Sequence, residues 1–228
     1  MSPALRSRAR VALPAFLLAA GLALSGCGGT SSAGEASADS ESGHGDHSGT
    51  APATVEGPDD VYAGYDLAEP YRRPSFTLTD ATGASYDFKA LTAGRPTLLF
   101  FGYTQCPDVC PTTMADVSVA LRSVDPALAE EVQVVFVTTD PANDSPEVLG
   151  RYLAQFDADL PNRYVGLTGD EAAVVQAQLA AGVPQAEEEG RLHSTLLLLY
   201  GRDDQAQVAF DAGNTSRDIA ADLQAIAG

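Results

Sequence analysis

The sequence predicts an α/β fold: a central mixed β-sheet flanked by helices, with an N-terminal hairpin. Three observations carry this. Thr97 to Tyr103 and Thr195 to Tyr200 are continuous apolar runs of strand length, the pattern of strands buried on both faces. Stretches of helical periodicity lie between such runs. Turn residues mark the boundaries, above all Asp80-Ala81-Thr82-Gly83 and Gly94-Arg95-Pro96.

Taken in order, Phe76 to Thr79 and Tyr86 to Phe88 flank the first of those turns and read as the hairpin. TLLFFGY, Thr97 to Tyr103, is the first buried strand. A helix from about Thr112 to Val124 follows, with Met114, Val117 and Leu121 on one face. Val132 to Thr138 is the next buried strand. Ser145-Pro146-Glu147 starts a helix to about Phe156, with a cap, a proline in the first turn and an acid at the positive dipole end. Glu171 to Ala181 is a further helix. TLLLLY, Thr195 to Tyr200, and Gln207 to Phe210 are strands, and a helix from about Ser216 closes the chain.

Residues 1–60 differ in character from this domain. Arg6, Arg8 and Arg10 precede an apolar run, Val11 to Leu24, which suits a signal peptide better than a membrane span. It ends in Leu24-Ser25-Gly26-Cys27, a bacterial lipobox pattern, so residues 1–26 read as a lipoprotein signal and Cys27 as the lipidated mature N-terminus. The expected location is the extracytoplasmic face of a bacterial cell membrane. Residues 27–60 read as a disordered linker, since between Gly28 and Asp60 Val55 is the one aliphatic side chain beyond alanine. That stretch holds seven acids and no Lys or Arg. As a flexible coil it separates its ends by roughly 30 Å. His44 and His47 within it, with Asp46, offer weak metal donors, but the preferred reading is plain solvated linker residues. Residues 61–228 form the folded domain, long enough for one core.

The chain carries 13 Lys and Arg against 31 Asp and Glu, a net charge of −18. Without residues 1–26 there are ten basic side chains against 31 acidic ones, giving −21. Such a surface repels phosphates and argues against nucleic-acid binding. Three cysteines exclude a disulfide-dense scaffold.

Cys106 and Cys110, separated by Pro107-Asp108-Val109, follow a buried strand and precede a helix, the edge where ligands collect in open α/β sheets. Helix N-terminal amides there are expected to lower thiol pKa values. The pair suits a redox-active disulfide or one soft metal ion. As a purely structural bridge it would close a tiny loop, worth roughly 2 kcal/mol. His193 is the one histidine of the folded domain and stands just before Ser194 and the TLLLLY strand. This layout resembles the thioredoxin fold, in which the segment before that strand faces the cysteine pair. Two thiolates and an imidazole select soft ions, copper(I) or zinc. Structural zinc normally takes four protein ligands, so three suit copper(I). Copper(I), two thiolates and a neutral imidazole sum to a charge of −1. Asp140 and Asp144 remain. Asp140 is read as orienting His193 or a copper-bound water, and Asp144 as a turn cap before Ser145, with a role like that of Asp140 as its alternative. No chemistry is assigned to Tyr103 or Asp108.

Phe101-Gly102-Tyr103-Thr104-Gln105-Cys106-Pro107-Asp108-Val109-Cys110-Pro111-Thr112 resembles the signature of the SCO/SenC proteins, copper chaperones of cytochrome c oxidase assembly. Thr139-Asp140-Pro141-Ala142-Asn143-Asp144-Ser145-Pro146 resembles the second motif of that family, and His193-Ser194-Thr195 the third. The resemblance implies a thioredoxin-like fold and ligation of one copper, as Cu(I) or Cu(II), by Cys106, Cys110 and His193. It further implies an upstream copper donor and delivery to the binuclear copper site of oxidase subunit II. A thiol–disulfide oxidoreductase acting on the oxidase cysteines through Cys106 and Cys110 is the alternative. That chemistry has no need of His193.

Overall fold

A computed structural model describes residues 61–188 and 190–227. The segments expected to be a signal peptide and a linker, with Cys27, His44 and His47, therefore lie outside the described residues. Eight strands of the described residues form one sheet in the order β1-β8-β7-β4-β5-β6-β2-β3. They are β1 (Tyr65–Arg72), β2 (Thr77–Asp80), β3 (Ser85–Asp87), β4 (Thr97–Gly102), β5 (Gln133–Thr138), β6 (Val165–Thr168), β7 (Leu197–Tyr200) and β8 (Gln205–Phe210). The helices are α1 (Phe88–Thr92), α2 (Val109–Ser123), α3 (Pro126–Glu131), α4 (Pro146–Asp157), α5 (Glu171–Ala180) and α6 (Ser216–Ala227).

The centre of the sheet is mixed. β4 and β5 run parallel and pair residue for residue from Thr97 with Gln133 to Gly102 with Thr138. β7 runs antiparallel to β4, with Leu197 opposite Phe100. This topology places the site. The C-terminal ends of β4 and β5 stop side by side, and the N-terminal end of β7 lies at the same edge. The segment that follows β4 carries the cysteines, and the segment that precedes β7 carries His193.

The apolar runs are continuous because the sheet is covered on both faces. Along β4, Leu98 and Phe100 point into one core layer with Phe136, Met114, Leu149 and Leu223. Leu99 and Phe101 point into the other, with Val135, Val137, Phe88 and Tyr200. Phe100, Phe101 and Phe136 are almost fully buried, each worth roughly 2 kcal/mol in apolar transfer.

Four elements were not expected from the sequence. β1 pairs with β8 at one sheet edge, with a register shift between Asp66 and Tyr71. Most of its side chains are exposed or half-buried, so it leaves no apolar run. β6 has only four residues, one of them glycine. α1 and α3 are short, and each begins at an aspartate cap, Asp87 and Asp125. The hairpin of β2 and β3 is present, but β1 precedes it, and it sits at the edge beyond β6.

Just after β1, Arg73 fastens that edge. Its Nε donates to Asp204 Oδ1 at 2.7 Å, NH1 to Thr92 Oγ1 at 2.9 Å, and NH2 to the carbonyls of Arg95 and Gly201 at 2.9 and 3.0 Å. The guanidinium also lies 5.1 Å from the centre of the Tyr200 ring. A buried charge is tolerated here because every face of it has a partner.

Candidate metal centre

α2 begins at Val109, three residues before the start expected from the sequence, so Cys110 lies inside its first turn. Pro111 sits in the same turn, where its missing N–H has no intrahelical partner to lose. Asp108 flanks the helix but makes no side-chain cap bond. The Cys106 sulfur takes that place and accepts from the Cys110 N–H at 3.4 Å. Cys106 is half-buried, Cys110 is buried, and both are free thiols. Gly102, the last residue of β4, lets the sulfur come this close to the strand. A Cβ on Gly102 would stand 2.8 Å from Cys110 Sγ.

His193 is carried by a tight hairpin. Glu187 and Leu192 exchange backbone hydrogen bonds of 2.7 and 3.1 Å, and Gly190 turns the chain at φ +87°. Thr139 Oγ1, just beyond β5, donates to the Gly190 carbonyl at 2.7 Å and ties the hairpin to the sheet. The His193 ring lies edge-on to Tyr103 and Phe100, at centroid distances of 5.6 and 6.2 Å. Its Nδ1 is 2.8 Å from the Ser194 carbonyl. A carbonyl only accepts, so in the neutral ring Nδ1 carries the proton and Nε2 keeps a lone pair. That lone pair faces Cys110 Sγ at 3.7 Å. Such an outer hydrogen bond is how proteins orient a ligating imidazole.

The ligand atoms of Cys106, Cys110 and His193 all lie within 4.8 Å of one another. Among the described residues no other His, Cys, Asp or Glu joins this group.

The electrostatics depart from the expectation of lowered thiol pKa values. Burial pushes the Cys110 thiol far above its ordinary range, and its hydrogen bond with Cys106 adds to the rise. The amide of Tyr103, just after β4, and that of Cys110, in the first turn of α2, pull the other way, but desolvation outweighs them. In the apo site Cys110 is held neutral, and a bound cation would supply the charge that makes its thiolate favourable.

Asp140 and Asp144 exchange the roles the sequence suggests. Ser145 caps α4, its side chain accepting from the Val148 N–H. Asp144 is buried and braces the cysteine loop instead. Its Oδ1 accepts from Thr104 Oγ1 at 2.6 Å, and its Oδ2 from Thr104 N and Thr138 Oγ1 at 3.0 and 2.6 Å. It thus clamps the segment two residues before Cys106 to the end of β5. The Asp140 carboxylate accepts from Asn143 Nδ2 at 3.0 and 2.9 Å, bonding within its own turn rather than to His193. Asp140 also lines a cavity of about 770 Å³ with Asn143, Asp170, Glu187 and Glu188.

Gly102 and Thr139 fall within the quoted motifs, but their roles, and that of Gly190, escaped the sequence reading. Their parts depend on which backbone comes close to which, and a single sequence carries no such signal.

The SCO1/SenC family matches residues 67–228 of the chain. Bradyrhizobium japonicum ScoI, solved with copper bound, is 32% identical, with a TM-score of 0.56 over 69% of this chain and 99% of that one. Apo Sco1 from Thermus thermophilus is 30% identical, with a TM-score of 0.62 over 75% of this chain and 100% of that one. A Stutzerimonas stutzeri protein is 35% identical over 136 residues, 57% of this chain and 64% of that one. The chain spans less than two thirds of the length of the curated relatives it matches. The fold is thioredoxin-like, as in the Sco structures. With a family match that covers nearly all of the described domain, this chain belongs to the SCO1/SenC family.

Proposed function

We propose that the chain binds one copper ion through Cys106, Cys110 and His193 and delivers it during assembly of cytochrome c oxidase, to the binuclear copper site of subunit II. The observation that carries this reading is the convergence of two sulfurs and an imidazole nitrogen within 4.8 Å, with the imidazole lone pair turned toward Cys110. The donors fit the ion. Thiolates select soft metals, and a three-membered set suits copper(I) better than structural zinc. The copper-bound Bradyrhizobium japonicum relative supports the same choice.

The chain's own residues shape both holding and release. Cys110 and His193 are fixed by α2 and the hairpin, whereas Cys106 is half-exposed in its loop. Cys106 is therefore the sulfur that a partner's thiolate reaches first, and exchange of ligands one at a time would begin there. An upstream copper donor loads the site by the reverse path. Cys27 and the acidic linker would tether the domain by a lipid to the extracytoplasmic face of a bacterial membrane, within reach of a membrane-bound recipient.

The oxidoreductase reading gains less support. It leaves His193 unused and asks a buried, neutral Cys110 to serve as nucleophile or resolving thiol. The test is anaerobic copper(I) titration of the reduced protein against a competing chelator, with oxidase assembly followed in cells. The proposal predicts one tightly bound copper per chain, and a His193→Ala variant that binds weakly and fails to support assembly. Full copper affinity and full assembly with His193→Ala would overturn it.

A further inference from the structure

Tyr103, the first residue after β4, bears on each of the three ligand residues. Its carbonyl accepts from the Cys106 N–H at 3.2 Å. Its own N–H bears on the Cys110 thiol. Its ring stands perpendicular to the His193 imidazole, at a centroid distance of 5.6 Å. The side chain is buried, yet it belongs to neither of the two core layers. Phe100, the other ring against the imidazole, is by contrast a core residue packed on Phe136.

The backbone of Tyr103 is held on both sides. Before it, the Gly102 carbonyl accepts from the Thr139 N–H at 2.7 Å. After it, the N–H and hydroxyl of Thr104 donate to the buried Asp144 carboxylate at 3.0 and 2.6 Å. His193 instead rides on the hairpin. Its bond from Nδ1 to the Ser194 carbonyl joins adjacent residues, so it orients the ring against its own backbone and travels with the hairpin. That bond does not set where the ring stands relative to the sulfurs. The outer torsion of a histidine is broad and roughly two-fold, so an unsupported ring would swing Nε2 away from Cys110 Sγ, which lies 3.7 Å off. Perpendicular packing of two rings is a favoured arrangement. Here it ties the imidazole to the strand end that carries the cysteines.

We propose that Tyr103 is a positioning residue for the metal centre: its ring holds the His193 imidazole at the distance and tilt from which Nε2 reaches an ion between the two sulfurs. The inference deepens the copper reading and rests on it. The ring carries the contact, so phenylalanine would serve in its place, whereas an aliphatic side chain of similar bulk would not.

The test is a double-mutant cycle on the full chain, read by copper(I) affinity against a competing chelator. Tyr103→Leu should raise the dissociation constant about tenfold, and Tyr103→Phe should stay within about twofold of wild type. In the His193→Ala background, Tyr103→Leu should change nothing further, because the residue acts through the imidazole. An unchanged constant in Tyr103→Leu overturns the inference and leaves the copper reading intact. So does an equal loss in both backgrounds, the mark of a packing effect on the cysteine loop, or a Tyr103→Phe variant as weak as Tyr103→Leu. A second measurement needs no variant that must fold. In the NMR spectrum of the metal-free wild-type chain, His193 should show the Nδ1–H tautomer, with ring protons displaced from free-histidine positions by the neighbouring rings. A His193 that averages both tautomers at free-histidine positions overturns the inference. Wild-type affinity in His193→Ala overturns the copper reading itself, and this inference with it.

Discussion

Gly190 lies directly on the carbonyl of Thr139: a Cβ at Gly190 would stand 2.0 Å from that oxygen. Thr139 also donates its hydroxyl to the Gly190 carbonyl at 2.7 Å. This contact joins the hairpin that carries His193 to the strand end beside the cysteines. It sets where the imidazole stands without touching it.

A Gly190→Ala substitution therefore has no way to keep that contact. The φ of +87° already disfavours any side chain, and the backbone carbonyl blocks it. The hairpin must lift, and His193 with it. Copper(I) affinity should fall at least about tenfold, with a stability loss on the order of 1–3 kcal/mol. Gly83→Ala is the control, since Gly83 also has positive φ but nothing within 4 Å of an added Cβ. It should cost about 1 kcal/mol of stability and leave copper affinity unchanged. Chelator competition and thermal melts read both.

Asp144→Asn should loosen the cysteine loop. The carboxylate accepts three hydrogen bonds, and an amide keeps acceptor bonds on one side only, loses their charge assistance and forces the Thr104 hydroxyl to turn and accept from its NH2. A cost of about 2–4 kcal/mol is expected, seen as a shift in the denaturant midpoint. Copper affinity should drop as well, because Thr104 no longer holds the approach to Cys106. Asp140→Asn, confined to its own turn, should have a smaller effect on affinity.

Copper loading should release protons. The Cys110 thiol is held neutral by burial, so at neutral pH its proton must leave when the metal binds. Calorimetry in buffers of different ionisation enthalpy should show at least about one proton released per copper, with affinity falling as pH is lowered. A titration in which binding is independent of buffer and pH would contradict this.

Acid should weaken the fold through Arg73 and Asp204. The Gly94 N–H, followed by the Arg73 hydrogen bond and charge, holds the Asp204 carboxyl below its ordinary value. A carboxylate whose folded pKa is depressed contributes stability above its unfolded pKa and loses it as pH falls through the folded one. Stability should therefore decline below about pH 4, and Asp204→Asn should flatten that decline while lowering stability at neutral pH. Denaturant melts of both proteins across this range provide the check.

Much of the fold was legible because covering both faces of a sheet leaves continuous apolar runs, as in β4, β5 and β7. β1 was not, since its edge position keeps most of its side chains exposed or half-buried and its sequence reads as polar loop. β6 was too short, and its Gly166 is needed because Leu153 leaves no room for a Cβ, with a contact of 2.9 Å. The grouping of Cys106, Cys110 and His193 could be read because the cysteines follow one recognisable strand, His193 precedes another, and that layout resembles the thioredoxin fold. The duties of Asp140 and Asp144 could not. Spacing says that a carboxylate is near, whereas its direction depends on Thr104 and Thr138 meeting across the sheet edge. The rise in the Cys110 pKa was equally hidden, since it comes from burial in the core and the hydrogen bond with Cys106 rather than from the helix start.

The central claim is that one copper ion is held by Cys106, Cys110 and His193 together. X-ray absorption at the copper edge of the reduced, copper(I)-loaded protein tests it most directly. The account predicts two sulfur neighbours and one imidazole nitrogen, with the nitrogen lost in His193→Ala and one sulfur lost in each of Cys106→Ser and Cys110→Ser. A wild-type spectrum with sulfur alone, unchanged by His193→Ala, would contradict it.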